Sequence, residues 1–214
     1  MGFDRKYWEE NYSQPFTMDG IGNAKEHAKY LKAFFELEQV DISSIADFGF
    51  GYGYLFQKTM KQFIPYKALG IEPSEHAFNK AKKRKLAPVE STKLKLENCT
   101  LQDWCAQEDK PKLNYDLGLC CSVFQYLDEK DLNSIIMTLS RRIKYLYLTV
   151  PTNKELDRQI EDLNFDDKYA YRRSSEFYKK VVGQGFTNIS SRIWESKHHF
   201  NEETTLFTDL LYRH

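Results

Sequence analysis

The feature that most constrains this chain is a run of three glycines at alternate positions, Gly49, Gly51 and Gly53, set between a short, mostly apolar run and a helical pattern. Residues 45–48 (Ile-Ala-Asp-Phe) read as a short buried strand, and residues 54–63 carry apolar side chains at helical spacing. Glycine at a strand-to-helix turn lets the backbone reverse tightly and lets a ligand come against the main chain. The rest of the chain agrees with such a start. Strand-like runs at 68–71, 93–96, 115–123 and 143–150 alternate with helical stretches at 74–85, 128–140 and 174–182, with Ser74 and Asp128 where N-caps belong. This alternation predicts a parallel sheet covered by helices on both faces. Two further runs, 186–194 and 205–212, have no clear helix between them and predict a C-terminal hairpin. The expected fold is α/β: a three-layer α/β/α sandwich, one domain over residues 1–214, with about seven strands and an antiparallel last strand. Helical periodicity at Ala24, Ala28, Leu31, Phe34 and Phe35 predicts that residues 1–40 cap the ligand edge of the sheet.

Charge and composition narrow the partners. Lys and Arg number 31 and so do Asp and Glu, giving a formal net charge of zero. Nucleic acids and anionic membranes demand a basic face, so neither is expected as a partner. No apolar run follows the first charged residues and none is long enough to span a bilayer, so neither a leader nor a membrane span is expected. The four cysteines, Cys99, Cys105, Cys120 and Cys121, form no CxxC pair. A reduced, cytoplasmic protein without a metal is the expectation.

The spacing of the loop sharpens its meaning. A dinucleotide fingerprint needs a third glycine inside the helix, but counting from Gly49 that place holds Tyr54, and from Gly51 it holds Phe56. No Gly-Lys-Ser/Thr follows, which excludes a P-loop. What remains is an acidic residue, Asp47, opening an alternate-glycine loop, which suits a ligand with a cationic amino-acid end and no phosphate. Glu72 ends the second strand, where a carboxylate can accept both hydroxyls of a ribose. Asp103 follows the third strand, placed to accept from an adenine amino group while Trp104 covers the ring.

In order and spacing, residues 47–53, Glu72, Asp103, the stretch from Tyr115 to Leu127 and Gly185-Phe186 resemble the motifs of the class I S-adenosylmethionine-dependent methyltransferases. The resemblance covers residues 43 to about 194 and implies the Rossmann-like seven-stranded fold of that family. It implies that Gly49, Gly51 and Gly53 wrap the methionine part of S-adenosylmethionine, that Glu72 with Pro73 holds the ribose, and that Gln102, Asp103 and Trp104 read the adenine. Ser122, after the fourth strand, joins the cofactor set. Tyr7-Trp8 resembles the Tyr-Trp of an N-terminal helix that covers the cofactor in many members.

The acceptor is less legible, because a sulfonium brings its own activated methyl group and the protein mainly orients the reactants. Ser122-Val123-Phe124-Gln125 lacks the Asn/Asp-Pro-Pro-Tyr/Phe signature of enzymes acting on base and amide nitrogens. Ser122-Val123-Phe124-Gln125-Tyr126-Leu127 resembles a string in methyltransferases of small metabolites and peptide natural products. The expected acceptor is an N or O atom of a small molecule; a protein or RNA acceptor, or a cofactor-binding partner subunit without catalysis, are the alternatives. Tyr126 is the candidate at the methyl-transfer edge, against the reading of a core tyrosine. His198, with His199, is a candidate base or an exposed loop pair. The basic run 80–85 reads either as a phosphate contact or as a solvated helix end.

Overall fold

A computed structural model describes residues 5–11, 20–107 and 115–207. Its strands are β1 (Ser44–Phe48), β2 (Lys67–Ile71), β3 (Lys93–Glu97), β4 (Tyr115–Cys121), β5 (Ile143–Thr149), β6 (Phe186–Asn188) and β7 (Ile193–Ser196). They form one seven-stranded sheet in the order β3-β2-β1-β4-β5-β7-β6. β1 pairs in parallel with β2 and with β4, and β2 with β3, whereas β7 runs antiparallel to β5 and β6. Strand succession therefore moves outward from β1 and then jumps to β4, which makes the carboxyl end of β1 a topological switch point.

The antiparallel strand is present, but the hairpin lies earlier than the sequence pattern predicts. The run 186–194 is not one strand: it breaks after Asn188, whose amide donates to the Ser190 carbonyl at 2.8 Å, and resumes at Ile193. Of the run 205–212, residues 205–207 are not in a strand, and 208–212 lie outside the described residues. Thr205 instead donates its hydroxyl to the buried carboxylate of Glu195 at 2.8 Å.

The chain divides into two compact units, Met1–Trp104 with Tyr115–Leu119, and Cys105–Asn114 with Cys120–His214. In the first, β1 is buried along its whole length, as an apolar strand covered on both faces must be. β3 is an edge strand, and its exposed Lys93 and Lys95 protect it from pairing with another chain. At the amino ends of β1 and β4, one carboxylate oxygen of Asp116 accepts from the N–H and hydroxyl of both Ser43 and Ser44 at 2.9–3.1 Å. Five helices begin in this unit: α1 (Arg5–Asn11), α2 (Ala24–Leu37), α3 (Tyr54–Phe63), α4 (Glu75–Lys82) and α5 (Leu101–Ala106). The apolar stripe of α2 is buried, with Leu31 and Phe35 wholly so, each contributing roughly 1.5–3 kcal/mol. That stripe packs on α3, with Phe35 edge-on to Phe63 at 6.2 Å. Thus α2 flanks α3, and of the two N-terminal helices described α1 is the one that packs at the glycine loop. α4 stops at Lys82, short of the predicted 85, because the chain turns to bury Leu86.

The second unit holds α6 (Glu129–Arg142), α7 (Asn153–Leu163) and α8 (Ser175–Val182). Asp128 and Ser174 cap α6 and α8, each accepting a backbone N–H three residues on. α7 has no counterpart in the sequence reading, although Leu156, Ile160 and Leu163 stand at helical spacing; of the three, Leu156 alone is buried. Among the described residues no helix is long and apolar enough to cross a membrane.

Candidate active site

The glycine loop is built by three left-handed residues, Gly49 (φ 87°), Gly51 (φ 54°) and Gly53 (φ 75°). A Cβ in that region costs about 1–2 kcal/mol per residue, so the spacing seen in the sequence is a backbone requirement. The loop is fastened to β2: the N–H groups of Gly49 and Phe50 both donate to the Ile71 carbonyl, at 2.8 and 3.2 Å. Phe50 lies over Gly70, where an added Cβ would come within 2.7 Å of its ring, and it also meets Phe56 and Phe78. This explains the glycine inside β2, which the sequence reading passed over.

Glu72 does more than end β2. Its Oε2 accepts from the Gly51 N–H at 2.8 Å and its Oε1 from the Ser74 N–H at 2.9 Å, so one carboxylate fixes both the loop and the cap of α4. Each oxygen has a second lone pair for a further donor. The register Asp47↔Gly70 and Phe48↔Ile71 puts Asp47 and Glu72 near the ends of adjacent strands. Both are buried, with 4% of their surface exposed. Burial raises the Glu72 carboxyl to about 7, against the lowering effect of the two backbone bonds. Burial, and then the charge of Glu72, pushes Asp47 well above the usual carboxylate range. No hydrogen-bond donor or cation from the described residues reaches Asp47. Two coupled buried carboxylates facing a glycine loop favour a ligand that brings positive charge and hydroxyl donors.

α1 covers this loop. Trp8 and Tyr7 are buried in one cluster with Tyr52 and Ala77, and the Trp8 ring stands 4.7 Å from that of Tyr52. A Cβ on Gly51 would lie 3.3 Å from the Trp8 ring. Next to it opens a pocket of about 550 Å³ lined by Trp8, Glu9, Tyr52, His76, Asn79, Lys80 and Lys83. The basic run has a structural use here: Lys80 sits 4.0 Å over the Tyr52 ring and Arg84 3.9 Å over that of Tyr54, bracing the loop by cation–π contact.

At the adenine side the structure separates residues that the sequence groups. Asp103 is exposed in the first turn of α5, where its Oδ2 accepts from the Thr100 hydroxyl at 2.6 Å and its N–H donates back at 3.0 Å. Gln102 beside it is half-buried and Pro73 is exposed. Trp104 is wholly buried and packs on Phe48 at 5.2 Å, so its ring supports β1 from within the core. Asn98, which the sequence reading missed, donates to the carbonyls of Glu72 and Pro73 at 2.7 and 3.2 Å and ties the exits of β2 and β3 together. Its signal was a lone amide side chain directly after β3. Among the described residues no three His, Cys, Asp or Glu side chains gather in a way that could hold a metal ion.

In the second unit, Ser122 leaves β4 in the left-handed region (φ 55°), with its N–H on the Thr149 carbonyl at 2.8 Å. A non-glycine residue held there is the kind of strain that functional turns store. A 3-10 turn, Phe124–Tyr126, follows, and the Tyr126 hydroxyl donates to Asp167 Oδ2 at 2.6 Å. Asp167 stands 41 residues away in an irregular segment, and no pattern in the sequence marks it. His198 lies apart from this turn. It follows β7, which runs antiparallel to β5 and reaches Glu195 opposite Tyr145, so the chain leaves at the amino end of β5. The neighbouring His199 ring contacts the Arg141 carbonyl there. Ligands of open α/β sheets bind at the carboxyl ends of the parallel strands, and His198 is at the other.

Residues 45–145 match the family model described as a methyltransferase domain. No curated protein sequence matches the chain. Among solved structures, magnesium protoporphyrin IX methyltransferase from Synechocystis PCC 6803 with bound S-adenosylhomocysteine is 16% identical, with a TM-score of 0.58 over 90% of this chain and 96% of that one. The plantazolicin methyltransferase in complex with a monoazolic desmethyl analogue and S-adenosylhomocysteine is 17% identical, with a TM-score of 0.61 over 84% of this chain and 66% of the other. A small RNA methyltransferase is 15% identical, with a TM-score of 0.59 over 84% of this chain but 26% of its own length. The matched segment carries the glycine loop, Glu72 and Asp103: residues 45–145 are similar to a methyltransferase domain, and the fold is that of the S-adenosylmethionine-dependent methyltransferases.

Proposed function

We propose that the enzyme transfers a methyl group from S-adenosylmethionine to an N or O atom of a small molecule. The observation that carries the cofactor part is the pair Asp47 and Glu72, buried and mutually repulsive beside a loop with three left-handed glycines. The amino group and sulfonium of the cofactor supply positive charge toward Asp47, and the ribose hydroxyls donate to the remaining lone pairs of Glu72. Gly49, Gly51 and Gly53 give the methionine part a path along the main chain, with Tyr7 and Trp8 above it. The exposed carboxylate of Asp103, with Gln102 beside it and Pro73 on the facing turn, takes the adenine amino group, and Ser122 completes the set.

A small acceptor is favoured by the zero net charge, which gives a phosphate backbone little to bind, and by the turn after β4, which has no Pro-Pro pair. The test is incubation of the enzyme with cell extract and methyl-labelled S-adenosylmethionine, followed by fractionation. Label in the small-molecule fraction is expected; label in the RNA or protein fraction would overturn the acceptor assignment.

A further inference from the structure

The second unit gathers polar groups around the exit of β4 that packing does not explain. Tyr126 donates to Asp167 at 2.6 Å. Asp167 is held in turn by the Tyr169 N–H on its other oxygen at 3.3 Å. The segment that carries it is pinned to the turn after β4: the Tyr171 N–H donates to the Gln125 carbonyl at 2.8 Å, and the Arg173 guanidinium to the Leu127 carbonyl at 2.8 Å. Such anchoring makes the Tyr126–Asp167 contact a built one, not a chance meeting of loop side chains. Two further atoms point to a ligand. The side-chain carbonyl of Gln125, in a residue 2% exposed, and the hydroxyl of Thr149 at the end of β5 are buried without a hydrogen-bond partner among the described residues. A buried acceptor left unmatched costs about 1–3 kcal/mol, which a bound N–H or O–H donor recovers. Tyr126 and Asp167 are each partly exposed, so solute reaches them.

We propose that Tyr126 and Asp167 are the proton-accepting dyad of methyl transfer, serving an acceptor that arrives as a hydroxyl or an ammonium group. The proposal rests on the methyltransferase reading and deepens it. In the step, an ammonium acceptor first gives up a proton, which frees the nitrogen lone pair; that pair, or one on a hydroxyl oxygen, forms the bond to the methyl carbon, and the carbon–sulfur bond breaks with its electron pair left on sulfur. The acceptor's proton passes to Tyr126 Oη as the Tyr126 proton passes to Asp167 Oδ2; Asp167 then releases it to solvent. Tyr126 touches the acceptor, and Asp167 acts through it. Burial raises the Asp167 carboxyl above the ordinary range, Asp166 adding to this and the Tyr126 bond opposing it, which makes it a stronger base than an exposed aspartate.

The experiment uses the full chain, methyl-labelled S-adenosylmethionine and a panel of phenols, primary alkylamines and hydroxy acids. Calorimetric S-adenosylhomocysteine binding serves as the check on folding and on the cofactor site. Wild type is expected to methylate members of the panel, with kcat/KM falling at low pH as Asp167 takes up a proton. Asp167→Asn and Tyr126→Phe are expected to lower kcat at least a hundredfold with S-adenosylhomocysteine affinity unchanged. Asp167→Asn should also lose the acid limb of the profile, and Asp167→Glu should recover part of the rate. Full turnover by either variant, an acid limb that persists in Asp167→Asn, or a wild type that binds S-adenosylhomocysteine yet methylates nothing in the panel would overturn the dyad. Failure of wild type to bind S-adenosylhomocysteine would instead overturn the cofactor reading beneath it.

Discussion

Replacing Glu72 by Gln separates the two tasks assigned to that side chain. The carboxylate accepts from the N–H groups of Gly51 and Ser74, one on each oxygen. Glutamine has one acceptor oxygen, so one of those amides loses its partner, at a cost of about 1–3 kcal/mol. Against this, the variant removes a buried charge. The wild-type carboxyl lies at about 7 in the folded protein, compared with 4.5 for the free side chain. An acid whose folded value is raised binds its proton more tightly in the native state. Its stabilising effect is full below pH 4.5 and is lost as the pH climbs through 7. At about 1.4 kcal/mol per unit, wild type loses roughly 2–3 kcal/mol between pH 5 and pH 8 that the variant does not. Urea unfolding of both proteins across that range, without cofactor, measures the difference. The stability of wild type minus that of Glu72→Gln should fall by this amount as pH rises. A difference that stays constant would refute the assignment of a strained, protonatable Glu72.

Other consequences are as direct. Because the ribose hydroxyls need ionised Glu72, S-adenosylhomocysteine should bind more tightly at pH 8 than at pH 6 and release protons on binding at pH 6; titration calorimetry in buffers of different ionisation enthalpy reads both. Gly51→Ala places a Cβ at φ 54° and 3.3 Å from the Trp8 ring, and should weaken S-adenosylhomocysteine at least tenfold while the far-ultraviolet spectrum stays native. Asp116→Ala strips four bonds from one oxygen at the amino ends of β1 and β4; it should lower stability by roughly 3 kcal/mol and leave affinity per folded molecule unchanged. His198→Ala, at the amino end of the sheet, should turn over like wild type in any acceptor assay.

The sequence was most readable where backbone geometry leaves little choice. Three left-handed positions in five residues admit glycine and little else, so Gly49, Gly51 and Gly53 announced the loop. Buried strands showed as short apolar runs, as at residues 68–71 of β2, and Ser74 and Asp128 marked their helices through caps. Legibility failed where structure rests on tertiary contacts. Spacing places Trp104 beside Asp103, but nothing in the spacing shows that its ring packs on Phe48 in the core. The β6–β7 hairpin hid inside the single strand expected over 186–194, because its turn, Ile189 to Arg192, keeps a buried Ile189 between the polar Asn188 and Ser190. Asp167 was invisible: its meaning comes from a partner 41 residues away, and a lone aspartate in an irregular segment carries no periodicity.

The central claim is that the loop from Asp47 to Gly53, gripped by Glu72, holds S-adenosylmethionine and no dinucleotide. Thermal unfolding with S-adenosylhomocysteine or with NAD, each in large excess, tests it most directly. A ligand present at a hundred times its Kd stabilises the native state by about 2.7 kcal/mol, which raises Tm by several degrees for a chain of this size. The expected result is such a rise with S-adenosylhomocysteine, none with NAD, and its loss in Gly51→Ala. A rise with NAD alone would contradict the account.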